Sequence, residues 1–301
     1  MEKNTKTHTL GEWILAMRPW SFPASLMPVS VTLAYLFWRE YEINWLTGSW
    51  ALINIVLFHA AGNTWSDYFD YKKKVDREDT YGMKLLTSEQ FQPKEIMNLS
   101  LALLVVALLG GITLMFLTGI QLFYVGLAGL LCTLLYPPLK YRALGDLVIM
   151  LAYSILPTLG TSFVAIGEFD LSVLWIAVPV GLITVGILHA NNTRDMKHDD
   201  RASIKTFAMF LGQTGSVYAY IFEVLFPFVW VLMCVICGIF PVWGLMTFVA
   251  LFLALKNVKM VTRYSKEGMA AIANLDELTA KLQLIFSLLL VLSLIIAAFV
   301  G

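Results

Sequence analysis

The chain has 301 residues, 58% hydrophobic and 14% charged, and its mean hydropathy is +0.73. Soluble domains carry about 25% charged residues, so this composition excludes an ordinary soluble domain; the gathering of charge into short islands between long apolar runs also excludes a β-barrel, which alternates over short segments. The 21 basic and 21 acidic residues balance to zero, and nothing in that balance points to a nucleic-acid partner.

Read in chain order, the N-terminal MEKNTKTHTL is polar, and the first apolar run, after Arg18, is too long for a secretory signal and lacks a clear cleavage site. An amphipathic lead, GEWILAMRPW, precedes nine predicted helices at 19–38, 49–69, 95–117, 119–137, 144–166, 171–193, 213–237, 239–257 and 280–300. Gly and Pro within these spans are tolerable in lipid, where neighbouring helices satisfy freed backbone groups. Cys132, Cys234 and Cys237 all lie in apolar runs, and the CxxC of the last two reads as small apolar packing rather than metal or redox chemistry. The expected fold class is all-α: a polytopic membrane protein with nine transmembrane helices in one bundle, the chain 1–301 forming a single integral-membrane domain.

Charge sets the orientation. The N-terminal segment and the loops after spans 2, 4, 6 and 8 hold 20 of the 21 basic residues, from Lys3, Lys6 and Arg18 through to Lys281, and only Arg39 falls opposite. The positive-inside rule makes the crowded side cytoplasmic. The N-terminus is then cytoplasmic, the C-terminus lies on the other side, and the expected location is the cell inner membrane. No loop is long enough to hold a soluble core. Asp-rich helix ends close spans 2 and 6, which hints at two similar halves.

Span 2 ends in GNTWSDYFDYKKKVD. Residues three or four apart share a helix face, so Asn63, Asp67 and Asp70 line one side, with Asp76 just beyond. Span 6 ends in HANNTRDMKHDD, where Asn191, Asp195 and Asp199 form a second stripe beside Asn192. Two facing carboxylate stripes repel unless something positive sits between them. Magnesium suits such a place, since it takes oxygen ligands and binds through a few carboxylates plus substrate phosphates. The bland alternative is solvated loop charge, and for Lys72 to Lys74 that alternative is preferred, with attraction to anionic lipid beside it.

GNTWSDYFDYKKKVD resembles the first Asp-rich motif of the UbiA family of intramembrane prenyltransferases, and NNTRDMKHD resembles the second. Between them, PPLKYRALGDL resembles the loop of the menaquinone branch; NNTR with the later KTFAMFLG, and the opening RPWSFPASLMPV, are similar to the same branch. The resemblance implies an enzyme with a cytoplasmic-side active-site cap. It would join an allylic polyprenyl diphosphate to an aromatic acceptor, here 1,4-dihydroxy-2-naphthoate, with loss of CO2 and with Mg2+ as cofactor. It implies Asp67, Asp70, Asp195 and Asp199 as the magnesium–diphosphate residues, supported by Asn63 and Asn191. Ser66 stands where the family usually has Asn. Membrane lipid is the expected surrounding, and no obligate protein partner is inferred.

The chemistry asks for the same parts. Diphosphate leaves only when its charge is neutralised by metal ions and cationic side chains. Arg194, inside the second motif, is the first candidate cation and Lys140 the next; for Arg142 and Lys205 a plain positive-inside role is an equal reading. Trp65, Tyr68, Phe69 and Tyr136 are candidate walls for an allylic cation, or ordinary packing. Asp146, in ALGD, either orients and deprotonates the acceptor's hydroxyl or favours a helix N-terminus. Glu223 is an intramembrane carboxylate with no partner evident in sequence, and His59 and His189 read as packing or supporting residues. Prenylation of another acceptor such as 4-hydroxybenzoate is the alternative within the enzyme class. A secondary transporter is the alternative outside it, although transporter sites lie near the bilayer midplane.

Overall fold

The computed structural model describes residues 7–77, 80–81 and 84–300; Lys3, Lys6 and Gly301, which enter the charge reading, lie outside the described residues. Among the described residues the regular structure is helical, and nine segments are long and apolar enough to cross a membrane.

A short helix, α1 (Leu10–Ala16), is held by a reciprocal cap: the Glu12 amide donates to Thr9 Oγ1 and the Thr9 amide to Glu12 Oε2. The chain then turns at Arg18, whose φ of 58° lies in the left-handed region, and Pro19 opens the 3-10 turn leading into α2 (Pro23–Trp38). There follow α3 (Trp45–Lys72), α4 (Pro93–Thr118), α5 (Leu122–Lys140) and α6 (Gly145–Met150). A single π turn, Leu151–Ile155, joins α6 to α7 (Leu156–Ile166). Beyond it lie α8 (Leu174–Arg201), α9 (Phe207–Ile236), a 3-10 run Val242–Ala250 that continues as α10 (Leu251–Val261), α11 (Tyr264–Glu267) and α12 (Leu275–Val300).

Each predicted span coincides with one of these segments, and the differences fall at the polar ends. The span predicted at 171–193 continues as helix to Arg201, so the whole second Asp-rich motif is helical. ANNTRDMKHDDR contains neither Gly nor Pro, and polar side chains do not stop a helix once it has left the lipid; the stop comes at Ser203, at φ 56°. The span predicted from 213 begins at Phe207 and is broken at Gly212, where φ is 69° and ψ 174°.

Helices α2 and α8 form the centre, each about half buried over its apolar window, while α4 and α5 are the least buried, with most of their apolar windows on the outside of the bundle. The main core is built from α2, α8, α9 and α12, with Tyr35, Ile183, Tyr220, Phe228, Phe286 and Leu290 among its buried side chains. Two glycines set the spacing around the site. A Cβ on Gly181 would stand 2.6 Å from Met150 Sδ and from Ser154 Cβ, so α8 lies against the π turn only because that position is bare. A Cβ on Gly145 would stand 3.3 Å from Lys140 Cα, which lets α6 start hard against the end of α5.

Candidate active site

The polar end of α3 supplies two buried carboxylates, and each has its own cation. Arg18 donates from Nη2 to Asp67 Oδ1, and Lys140 Nζ donates to Asp70 Oδ2 at 3.1 Å. Asp70 also receives the Tyr141 hydroxyl on Oδ1 at 2.7 Å and the Ser66 hydroxyl on Oδ2 at 3.2 Å. Ser66, standing where the family's Asn is usual, therefore braces its neighbour one turn on. Asn63 turns toward the N-terminal segment and donates to Met17 O and Ser21 Oγ, each at 3.0 Å, which pins the left-handed turn that delivers Arg18. Beneath it, His59 sits between Ser25 Oγ at 2.9 Å and Ser21 Oγ at 3.2 Å.

Asp76 folds back over this pair after a left-handed residue at Lys74, and its amide donates to Asp70 O at 3.4 Å. Burial, with Asp70 and Asp67 beside it, pushes the Asp76 carboxyl up to about 7, against the opposing pull of Lys140 and Arg18. Burial works against the charge on Arg18, but Asp67, Asp76 and Asp70 together outweigh it and raise the guanidinium's pKa.

The second motif divides between two tasks. Asp199 is buried within electrostatic reach of Lys140, Asp195, Asp70 and Asp76, so it joins the first cluster and links it to Asp195. Arg194 instead grips Asp195 with two bonds of 3.0 and 2.8 Å and donates from Nη1 to Asp276 Oδ2 at 2.9 Å and Ala273 O at 3.0 Å. Asn191 donates to the same Asp276 oxygen at 3.3 Å. This side of α8 is thus laced to the start of α12, and the Arg194 guanidinium lies over the Tyr81 ring at 4.8 Å. Asn192 is buried.

Two expected cations stand apart from the carboxylates. Arg142 and Lys205 are exposed, and their backbones form a small parallel bridge in which the Ala143 amide donates to Lys205 O at 2.7 Å and the Lys205 amide to Tyr141 O at 3.0 Å. That bridge ties the loop carrying Lys140 and Tyr141 to the loop after the second motif. Tyr136 lies one turn before Lys140, within reach of Lys140, Asp70 and Asp146. Trp65 donates to Leu134 O at 3.3 Å, and Tyr68 packs with Leu85, Leu86 and Phe91, so these rings serve packing between helices.

Asp146 points away from this cluster. Its Oδ2 lies 2.7 Å from His189 Nδ1, and Glu223 Oε1 lies 3.5 Å from the same nitrogen. Glu223 therefore has a partner that the sequence does not reveal.

The reading from sequence names neither Arg18 nor Tyr141 as a site residue, and it omits Asp276. Arg18 is visible in sequence as a cation just before the first span, but its approach to Asp67 depends on the positive φ and on a closure across 49 residues. Tyr141 follows Lys140 directly, and only the end of α5 shows that both side chains reach Asp70.

A helical bundle with nine candidate membrane spans among the described residues, whose two Asp-rich helix ends gather with Arg18 and Lys140, is the architecture of an intramembrane prenyltransferase, a membrane enzyme. The model of the UbiA prenyltransferase family matches residues 25–285, and the chain belongs to that family. It is 31% identical over 292 residues to UbiA prenyltransferase domain-containing protein 1 of Danio rerio, covering 95% of this chain and 84% of that protein. Its fold is similar to a solved UbiA homologue from Archaeoglobus fulgidus bound to GPP and Mg2+, with a TM-score of 0.63 at 15% identity over 93% of this chain and 99% of that one. It is likewise similar to the apo UbiA homologue from Aeropyrum pernix K1, with a TM-score of 0.64 at 15% identity over 96% and 99%.

Proposed function

We propose that the protein transfers a polyprenyl group from a polyprenyl diphosphate to 1,4-dihydroxy-2-naphthoate with loss of CO2, as in menaquinone biosynthesis, with Mg2+ as cofactor. The observation that carries the diphosphate part is the meeting of Asp67, Asp70, Asp76 and Asp199 with Arg18 and Lys140 at one end of the bundle. The donors are carboxylate oxygens and they outnumber the cations, which fits a hard divalent ion. Asp67, Asp70, Asp195 and Asp199 would hold it, and when bound it supplies charge neutralisation to the leaving diphosphate. A solved homologue from Archaeoglobus fulgidus bound to GPP and Mg2+ supports the choice of ion and of a prenyl diphosphate.

The chain's own residues then have separable tasks. Arg18 and Lys140 now neutralise Asp67 and Asp70; with substrate present they turn their donors to phosphate oxygens. Tyr141 and Ser66 keep Asp70 oriented, and Asn63 keeps the Arg18 turn in place. Arg194 braces Asp195 against α12. The exposed Arg142 and Lys205 stand at the rim as a positive approach for an anionic substrate. Tyr136, one turn before Lys140, is the candidate wall for the allylic cation, and the polyprenyl tail lies between helices, in or beside lipid. The domain reads as two similar halves, each bringing one Asp-rich helix end, with the site and N-terminus cytoplasmic in the cell inner membrane.

The choice of acceptor is supported by PPLKYRALGDL and NNTRD, since the relatives named above carry the family's name alone. In the reaction the allylic C–O bond breaks and diphosphate leaves with the electron pair. The cation is then attacked by the ring carbon that bears the carboxylate. The ring regains aromaticity when the bond to the carboxylate breaks and its electrons return to the ring, so no oxidant is required. Carboxyl-labelled 1,4-dihydroxy-2-naphthoate, given with Mg2+ and a polyprenyl diphosphate, should release labelled CO2 in step with prenylated product. A carboxylate-retaining product from 4-hydroxybenzoate, with the naphthoate inert, would overturn the acceptor and leave the aspartate assignments standing.

A further inference from the structure

Behind the diphosphate cluster, three side chains from three helices converge out of contact with solvent. Asp146 lies in the first turn of α6, His189 in α8 and Glu223 in α9. One ligand-type atom from each lies within 4.8 Å of the other two, and all three residues are buried. The proton inventory around His189 is fixed by its neighbours. The Thr193 hydroxyl donates to the His189 carbonyl at 2.6 Å, because a carbonyl only accepts. Its single proton is then spent, so in the 2.5 Å contact between Thr193 Oγ1 and Ser216 Oγ the serine is the donor. Ser216 Oγ must in turn accept from His189 Nε2, 2.9 Å away, and the Ser216 carbonyl, 3.2 Å from the same nitrogen, also only accepts.

Nε2 therefore carries the proton of the neutral ring, and Nδ1 presents a lone pair toward two carboxylates, Asp146 Oδ2 at 2.7 Å and Glu223 Oε1 at 3.5 Å. Something positive must lie among these three atoms. One proton on Nδ1 would leave one net negative charge in the helix bundle, and a second, on Glu223, would bring the three groups to neutrality; in either case Asp146 Oδ1 and Glu223 Oε2, both buried, have no hydrogen-bond partner among the described residues. A divalent cation also brings the cluster to neutrality, and where the carboxylates bind it through both oxygens it gives the two orphaned atoms a partner that protons do not supply. The imidazole also has the environment of a metal ligand, with its far nitrogen tied to a backbone carbonyl and a hydroxyl that fix the tautomer.

We propose that Asp146, His189 and Glu223 form a second metal site, separate from the Asp-rich diphosphate cluster and selective for a divalent transition metal, zinc above all. Magnesium takes oxygen ligands and avoids imidazole, whereas a mixed nitrogen and carboxylate set suits zinc, manganese or iron. Three protein ligands would leave at least one coordination position open.

The test uses the full chain purified in detergent, stripped with a chelator, and equilibrated with Zn2+ or Co2+ in the presence of excess Mg2+ to occupy the Asp-rich cluster. Bound metal is counted by mass spectrometry, and Co2+ is followed by its visible absorption. The expected result is about one equivalent of Zn2+ or Co2+, with Co2+ bands characteristic of nitrogen and oxygen ligands. Occupancy should fall about tenfold or more in Glu223→Gln and His189→Gln and persist in Asp67→Asn. If His189→Gln does not fold, Glu223→Gln, which keeps shape and removes only charge, carries the comparison alongside the wild-type Co2+ spectrum. Wild-type protein that retains no metal under these conditions, or binding unchanged by Glu223→Gln, would overturn the site and identify the positive charge as a proton.

Discussion

Arg18 and Asp67 pair across 49 residues of chain, and the approach is made by a left-handed backbone residue that is not glycine. Such a conformation costs roughly 1–3 kcal/mol and persists only where the surroundings enforce it. Here Asn63 enforces it, by holding Met17 O and Ser21 Oγ, while Ser21 Oγ donates to Arg18 O at 2.8 Å.

Arg18→Ala should lower prenyl transfer by about 100- to 1000-fold, the scale of losing one donor that acts on developing negative charge. Arg18→Lys keeps the charge and loses the planar fork, so it should recover part of the rate. Steady-state kinetics with varied prenyl diphosphate would check this. An Arg18→Ala enzyme with normal rate and normal KM for the diphosphate would remove Arg18 from the site.

Lys140 and Tyr141 both touch Asp70, but only Lys140 brings charge. Lys140→Met should therefore be as severe as Arg18→Ala. Tyr141→Phe loses one neutral donor, about 0.5–1.5 kcal/mol, and should cost no more than about tenfold. Equal losses in the two variants would mean that the tyrosine does more than orient Asp70.

The carboxyl of Asp76, pushed up to about 7 from 3.8, makes the magnesium-free protein sensitive to pH. Because the folded state favours the protonated form, this group's contribution to stability is fully present below about pH 4 and is lost as pH rises through about 7. Thermal unfolding in magnesium-free detergent should show the wild-type midpoint falling relative to Asp76→Asn across that window, by about 2–4 °C for each kcal/mol involved. Parallel curves would show that Asp76 is not crowded by Asp70 and Asp67.

The topology we propose, nine spans with the basic loops and the N-terminus in the cytoplasm, puts the two ends of the chain on opposite sides of the membrane. Reporter fusions at both ends should report opposite sides. Finding both ends on one side would sink the nine-span topology.

The spans were legible because a bilayer demands length and apolarity, which single sequences display. The Asp-rich ends were legible because spacings of three and four put Asp67 and Asp70 on one face. What lay beyond reach was partner choice across the fold. Arg194, ranked first among the cations on its place in the motif, is instead engaged with Asp195 and Asp276, and Asp276 comes from a helix starting 81 residues later, at Leu275. Glu223 looked partnerless because His189 lies 34 positions away on another helix, and the departure at Ser66 did not reveal that its hydroxyl lies 3.2 Å from Asp70.

The most direct measurement is prenyl transfer by the purified protein with a labelled polyprenyl diphosphate and 1,4-dihydroxy-2-naphthoate, with and without Mg2+, for wild type, Asp67→Asn and Asp195→Asn. Each substitution keeps shape and removes one charge, so both variants should remain folded and membrane-inserted. Wild type should form prenylated product and release diphosphate in equal amounts only when Mg2+ is present, and each variant should fall by about 100- to 1000-fold. Turnover that is indifferent to Mg2+, or near-normal turnover by either variant at saturating Mg2+, would contradict a magnesium–diphosphate site built on these aspartates.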